Sequence, residues 1–485
     1  MNPEPRAPSA APAAARKPRR GDELVVALDG YDRRGRAVGR GVDEHGREWR
    51  VTLRGAAPGD RVRAAVLRRR GARIDAAPQE VLERGPRAAA ARCAHFGTCG
   101  GCSFQDFEYA AQLDELRAGL RAELRAHGLC GPESGIDVEP VAGDPEPWRY
   151  RNKMEFSFGA RRWIEPSEPP GVEAGFALGL HVAGRFDRVL DLRECAIVFA
   201  QAEGIVNDAR ELARARGLAP WSARAHTGLL RNLVVRKGFR TGEILVALVT
   251  AADVAGEVPA YAAELIERQP RITTLVHVVN TRPAAVALGQ SERTLHGPGF
   301  IRERLLGLEL AVSAGSFFQT NTAQAERLYE IVRAEAACSG RELVYDLFCG
   351  TGTIALVLAS SAGRVVAVEQ VAAAVADARR NLGLNGVTNV ELVEGDARAL
   401  LARGGERPDV CVLDPPRAGL HPKLVRELCA LAPRRVVYVS CNAAAAGRDV
   451  AALTRAGWEL RRVRPVDLFP HTPHVECVLT LDRAV

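Results

Sequence analysis

A chain of 485 residues is too long for one ordinary core and should divide into roughly two to four domains. Hydrophobic residues at 47% and charged residues at 26% exclude a mainly disordered chain, and no apolar run of about eighteen residues offers a membrane span. The formal net charge of +7 leans toward a polyanionic partner without saying which polyanion.

The first twenty residues are rich in Pro, Ala and Arg and cannot bury enough apolar surface to offset ordering entropy, so 1–20 is expected to be a disordered basic tail. It carries no secretory signal, and the 11 cysteines are an odd number. The chain is therefore expected to be cytoplasmic, with its cysteines serving as metal ligands, catalysts or core residues and not as disulfides. Residues 21–86 follow as a unit of their own. ELVVALDGY, REWRVTLRG and DRVRAAVLRRR read as strands, with EHG and APGD as turn signals, which suits a small β-barrel of a kind that often binds oligonucleotides. The basic run Arg68, Arg69 and Arg70 reads most simply as a solvated face.

Residues 87–300 read as a mixed α+β domain. It opens on CAHFGTCGGC (93–102) and a helix over 107–127, where Tyr109, Leu113, Leu116, Leu120 and Leu124 recur at three- and four-residue steps. That helix is free to pack on the C-terminal domain. RNLVVRK, EILVALVT and ITTLVHVV read as strands and VPAYAAELIER as a helix. Residues 301–485 change style. From 341 onward apolar strands such as ELVYDLF, RVVAVEQ, DVCVLDPP and RRVVYVSCN alternate with helical segments, the mark of an α/β fold with a doubly wound, Rossmann-like parallel sheet.

Ligands of such sheets bind at the carboxyl ends of the strands, and there the sequence concentrates its chemistry. ELVYDLF runs into CGTGT, where Gly350 and Gly352 allow a tight turn and a close ligand approach. Glu369, Asp396 and Asp414 follow the next three strands; a carboxylate at the first of these ends can accept hydrogen bonds from ribose hydroxyls. The loop alone fits a nicotinamide dinucleotide as well as S-adenosylmethionine. Cys441 lies directly after RRVVYVS, where a core cysteine is less expected than within the strand, and Glu476 is flanked by Val475 and Cys477 near the chain end. Cys93, Cys99 and Cys102 form a close set with Cys195 far downstream; four thiolates suit zinc or an iron–sulfur cluster equally.

At DPPRAGL (414–420), SCN (440–442) and FPHTPHVECV (469–478) the sequence resembles the class I S-adenosylmethionine-dependent RNA uracil-5-methyltransferases. It is most similar to the bacterial 23S ribosomal RNA members with a TRAM domain and a 4Fe-4S cluster, over about 21–485. The resemblance implies that Cys441 is the nucleophile and Glu476 the base. It implies that Gln319, Phe348, Thr353, Glu369, Asp396 and Asp414 contact S-adenosylmethionine, with Thr353 standing where other members carry Asn. It implies that 21–86 is a TRAM RNA-binding barrel and that Cys93, Cys99, Cys102 and Cys195 hold the cluster. YRNK (150–153) resembles a signature of the central domain without an assigned catalytic role. Phe317, Phe318 and Phe469 are candidates for stacking on a base.

The expected reaction is transfer of a methyl group to carbon 5 of a uridine in 23S ribosomal RNA through a covalent cysteine–uracil intermediate. A tRNA target and an RNA-binding protein with an inactive methyltransferase domain are the alternatives; intact Gly350, Glu369, Asp414, Cys441 and Glu476 argue against the second. A monomer is the default expectation.

Overall fold

The computed structural model describes residues 16–165, 168–254, 256–283, 287, 289–402 and 406–484. The tail expected over 1–20 thus lies outside the described residues as far as residue 15. Two compact units divide the chain: one runs through Ala91 and includes Ser103–Ala111, the other holds Arg92–Cys102 and everything from Gln112 onward.

In the first unit five strands close into a barrel in the order β1-β2-β3-β5-β4, namely β1 (Glu23–Tyr31), β2 (Ala37–Val42), β3 (Glu48–Leu53), β4 (Arg61–Arg70) and β5 (Arg73–Glu83). Alternate residues such as Val26, Val51, Val62, Ala64 and Ile74 are fully buried, the period-two pattern of a filled barrel. Three of the strands match the sequence reading; β2 and β5 do not appear in it. The reason is composition. A Cβ at Gly39 would meet the Ala27 carbonyl oxygen at 2.0 Å and one at Gly41 would meet Val51 at 2.6 Å, so β2 carries glycine where the closed barrel leaves no room, and β5 carries Pro78. Arg68, Arg69 and Arg70 are exposed.

The second unit contains helix α1 (Tyr109–Ala126) from Gln112 onward and then an eight-stranded sheet ordered β13-β12-β11-β10-β6-β8-β9-β7. Its strands are β6 (Lys153–Gly159), β7 (Arg162–Trp163), β8 (Ala177–His181), β9 (Val189–Asp191), β10 (Leu230–Lys237), β11 (Ile244–Thr250), β12 (Thr274–Val279) and β13 (Ser291–His296). Strands β10 and β11 are buried along almost their whole length, which is why they read as continuous apolar runs. Helices α2 (Gln201–Ala215) and α3 (Glu257–Arg268) cover one face. The other face shares a core with the hairpin β14 (Phe300–Leu305) and β15 (Leu308–Ser313) and with α4 (Thr322–Ala336), so the three sheets of this unit are continuous through side-chain packing.

The last sheet is a doubly wound Rossmann-like one, as the alternation of strands and helices led us to expect. It comprises β16 (Leu343–Leu347), β17 (Arg364–Glu369), β18 (Val390–Glu394), β19 (Val410–Leu413), β20 (Arg435–Ser440), β21 (Trp458–Val466) and β22 (Glu476–Arg483), ordered β18-β17-β16-β19-β20-β22-β21. The first five are parallel and β22 runs antiparallel to both its neighbours. Helices α4, α5 (Thr353–Ala359) and α6 (Ala372–Leu384) bury one face. Helices α7 (Ala397–Ala402), α8 (Pro422–Leu431) and α9 (Ala443–Arg455) bury the other, together with Leu120 and Leu124 of α1. Every residue of β19 is fully buried, and each such Val or Leu contributes roughly 1.5–3 kcal/mol to holding this scaffold. The strand order reverses between β16 and β19, and ligands of doubly wound sheets lie in the crevice at that reversal.

Candidate active site

The loop leaving β16 is strained where a ligand must come close. Phe348, Gly350 and Gly352 all have positive φ, at 73°, 55° and 79°, and for phenylalanine that conformation is costly. Hydrogen bonds over-determine it. The N–H groups of Phe348 and Cys349 both donate to the Val368 carbonyl at 3.0 Å, and the Gly350 N–H donates to Glu369 Oε2 at 3.1 Å. The other Glu369 oxygen accepts from Val371 N–H at 2.8 Å, so this carboxylate braces the loop from the end of β17. A Cβ at Gly350 would meet open space, whereas one at Gly352 would press on Ala378 at 3.2 Å; the first glycine leaves room on the ligand side and the second permits helix packing.

Three carboxyls gather beneath this loop. Asp346 sits in the middle of β16 and is fully buried. The Ala355 N–H faces it, but no well-formed hydrogen bond reaches either oxygen, and burial with the neighbouring Asp414 pushes its pKa up to about 8. Burial likewise raises half-buried Asp414, at the end of β19, to about 7. Glu369 adds its charge to Asp346. A cationic ligand in this crevice would favour the charged forms of Asp346 and Asp414 and so bring their raised pKa values down.

The other expected contacts are distributed unevenly. Gln319 is buried just before α4, with its carbonyl held by Asn152 Nδ2 at 2.9 Å. Phe348 packs half-buried against the core beside the strained turn. Thr353 is buried and its hydroxyl faces Thr351 Oγ1 at 3.3 Å, so it belongs to the inside of the loop. Asp396 follows β18 but is paired with Arg398, whose Nε lies 2.9 Å from Oδ2, and that pairing holds its carboxyl below the usual range.

Strand pairing brings the second group together. Ser440 of β20 is paired with Cys477 of β22, so in this antiparallel register the next residues, Cys441 and Glu476, face each other at the carboxyl edge of the sheet. A tight turn presents Cys441: the Asn442 N–H donates to Ser440 Oγ at 3.1 Å, and Asn442 Oδ1 caps α9 through Ala444 N–H at 3.1 Å. The Asn442 amide also donates to the Arg417 carbonyl at 2.8 Å, which ties SCN to DPPR. Cys441 is half-buried. Its thiol is raised by burial and by Glu476, while Arg417 pulls it down. Glu476 is buried, and desolvation with Asp414 lifts it to about 8, again opposed by Arg417. The site thus holds a thiol, a buried carboxyl and an exposed guanidinium in mutual electrostatic range.

Two of these groups were not singled out from the sequence. Arg417 lay inside a quoted motif without a role, and Asp346 was one residue of an apolar strand; a carboxyl inside LVYDLF was the available signal. YRNK now has a structural part to play. Tyr150 OH donates to the Pro470 carbonyl at 3.1 Å, and Asn152 fastens both Gln319 and Thr322, so one segment positions the chain on both sides of the site. Of the three aromatic candidates, Phe317 is 67% exposed and open for stacking. Phe318 is buried in the core, which removes it, and Phe469 is half-buried edge-on to His474.

The cysteine set lies elsewhere in this unit. Cys93, Cys99, Cys102 and Cys195 are all free thiols. Burial raises Cys99 to about 12, with the charges of Cys195 and Cys93 adding to it, so these three are close enough to interact. Cys102 packs against the core that contains Cys195. N–H groups of His95 and Ala196 point at Cys93, and Gly101 N–H lies 3.4 Å from the Cys99 sulfur. Among the described residues no three His, Cys, Asp or Glu side chains converge as they would around an ion. The donor chemistry, an all-thiol set with N–H groups directed at sulfur, fits zinc or an iron–sulfur cluster.

Comparisons with known proteins bear on the same region. Residues 301–402 and 407–484 match the family model described as tRNA (Uracil-5-)-methyltransferase. A Chlorobaculum tepidum protein described as an uncharacterized RNA methyltransferase is 37% identical over 477 residues, covering 96% of this chain and 97% of the relative. A Porphyromonas gingivalis protein of the same description is 38% identical over 446 residues, covering 88% and 94%. Among solved structures, the Pyrococcus abyssi tRNA (uracil-54, C5)-methyltransferase in complex with S-adenosyl-L-homocysteine is similar with a TM-score of 0.73 and 27% identity, over 94% of this chain and all of that one.

Proposed function

The chain belongs to the S-adenosylmethionine-dependent RNA uracil-5-methyltransferase family, and from that premise we propose that it methylates carbon 5 of a uridine in 23S ribosomal RNA through a covalent bond from Cys441 to the base. The observation that carries the reading is the register that sets Cys441 opposite Glu476 beside the acidic crevice.

Bound S-adenosylmethionine supplies a methyl group on a cationic sulfonium. The carboxyls of Asp346 and Asp414 suit that charge, with Gly350 leaving room for the ligand and Glu369, Gln319 and Phe348 lining the approach. Asp396 would have to exchange its Arg398 partner to take part, and Thr353 acts by shaping the loop. Carbon 5 of uracil is a poor nucleophile. The Cys441 thiolate adds to carbon 6, which moves an electron pair onto carbon 5; carbon 5 takes the methyl group as the methyl–sulfur bond breaks, and S-adenosylhomocysteine leaves with that bond's electron pair. Glu476 then takes the proton from carbon 5, the carbon 6–sulfur bond breaks, and the thiolate is released. Arg417 favours the charged forms of both side chains. A uridine within folded RNA must leave its stack to arrive here, at a cost on the order of a few kcal/mol, and Phe317 offers it a ring to lie against.

The barrel is the proposed RNA-binding TRAM-like module, and the cytoplasm, where the RNA is made, is the proposed setting. A tRNA target is the second reading, favoured by the printed substrate of the P. abyssi enzyme. Labelled S-adenosylmethionine offered with unmodified 23S and tRNA transcripts separates the two. Label in 5-methyluridine of the 23S transcript alone is expected; label on tRNA alone would move the assignment, and label on neither would overturn it.

We also propose that Cys93, Cys99, Cys102 and Cys195 hold a 4Fe-4S cluster. Its part is structural, since methyl transfer is a two-electron process that needs no redox centre. Thr98 and Gly100 already hydrogen-bond to Ala183 and His181, so the cysteine segment is laced to the loop after β8. Protein purified without oxygen should be brown, with about four iron and four sulfide per chain, and Cys99→Ser should lose most of both. A colourless protein containing zinc would contradict the assignment.

A further inference from the structure

At the far end of β6 from Asn152 lies an open, shallow hollow with about 30 Å³ of enclosed room, lined by Phe158, Arg161, His181, Phe186, Trp221 and Arg224 among others. Its lining begins at Ser157, roughly 15 Å along β6 from Asn152, so it is separate from the segment that fastens Gln319 and Thr322. Three features of the hollow are unusual together. Phe186 is 72% exposed at the tip of the loop between β8 and β9, where an apolar ring in water has no structural use. Beside it, the nearly buried Asp187 carboxylate gathers three arginines: Arg224 at 2.7 Å, Arg161 at 2.9 Å and Arg185 at 3.3 Å. One carboxylate thus fixes three guanidinium groups, leaves two positive charges uncompensated on it, and keeps each side chain between 35% and 59% exposed. Deeper in, Arg231 lies over the Trp221 ring at 4.3 Å, and Trp221 Nε1 and His181 Nδ1 are buried without a hydrogen-bond partner. Orphaned polar groups in the wall of a hollow ask for a polar occupant.

We propose that the surface around this hollow is a second RNA subsite, which holds an unpaired nucleotide flanking the target uridine, with its base on Phe186 and its phosphate on the Asp187-anchored arginines. Exposed aromatic plus clustered arginine is the combination that single-stranded RNA recognises, because the ring takes any base face and the guanidinium groups take the backbone. The proposal rests on the reading that the substrate is RNA. Its charge pattern favours a polyanion over a small neutral ligand, and its exposed ring favours single strands over a duplex, whose bases are stacked away.

The test uses the full-length protein, with a short oligouridylate, a duplex RNA and the 23S transcript as probes. Phe186→Ala should weaken oligouridylate binding roughly tenfold, while Phe186→Trp restores it. Arg224→Gln should weaken binding and reduce the slope of log affinity against log salt by about one. With the 23S transcript the loss should appear in KM. Equal losses on duplex and single strand would overturn base stacking, and unchanged affinity and salt slope in both variants would overturn the subsite. If no variant and no wild-type protein forms 5-methyluridine while the binding losses persist, the functional assignment fails and the subsite stands.

Discussion

Cys441→Ala is expected to lower 5-methyluridine formation by at least about 10⁴-fold while leaving S-adenosylmethionine affinity within about twofold. No other group at this edge of the sheet can replace the thiolate, because Glu476 is a weak nucleophile toward carbon 6 and Arg417 carries no lone pair. The side chain is half-buried beyond the end of β20, so its truncation removes little core and should cost under about 1 kcal/mol of stability. Cys477 provides the contrast. It is 1% exposed inside β22, and its Sγ lies 3.4 Å from the Ser440 carbonyl. Cys477→Ala should lower the thermal midpoint and retain turnover. Rate measurements on the two variants, with calorimetry of S-adenosylmethionine binding, separate a chemical role from a packing one; substantial turnover by the Cys441 variant would end the covalent mechanism.

For Glu476→Gln the expected loss of turnover is about 10²- to 10⁴-fold, accompanied by a protein–RNA adduct that survives denaturation. The amide is nearly isosteric, so addition and methyl transfer proceed, but nothing removes the proton from carbon 5 and the sulfur stays bound. The pH dependence follows from the same environment. Glu476 is raised to about 8, so in the free protein it is mostly protonated at neutral pH, and kcat/KM should climb as pH rises through about 8. Cys441 is also raised, partly by Glu476 itself. Removing that charge lowers the thiol pKa, so adduct formation by the Gln variant should become faster at lower pH than addition by the wild type. A single-turnover pH profile of both proteins checks the sign; a wild-type rate that falls between pH 6 and 8 would exclude Glu476 as the base.

The parts of this site differ in how far the sequence discloses them. Strands β17, β19 and β20 are buried on both faces, so they appear as unbroken runs of Val and Leu, and their carboxyl ends can be marked to within a residue or two. That is why Glu369, Asp414 and Cys441 can be chosen before any coordinates exist. Glu476 is different. Its meeting with Cys441 depends on an antiparallel register between β20 and β22, and register is set by long-range pairing that local pattern does not encode. Phe318 shows the opposite limit: it lies in a motif of the right kind, yet core packing turns it inward. Asp346 stays hidden because one carboxyl hardly alters the apolar rhythm of β16, although its burial beneath the Gly350 loop gives it one of the most raised carboxyl pKa values in the crevice. The arginines around Asp187 come from three separate loops, and no spacing in the chain announces them.

Catalysis here turns on a bond between one sulfur and one pyrimidine. Glu476→Gln protein, incubated with substrate RNA and S-adenosylmethionine, denatured, digested with protease and nuclease and read by mass spectrometry, reports that bond directly. The expected product is a single modified peptide carrying methylated uridine on Cys441. Uridine attached to any other residue, or 5-methyluridine released with no attached peptide at any time point, would contradict it.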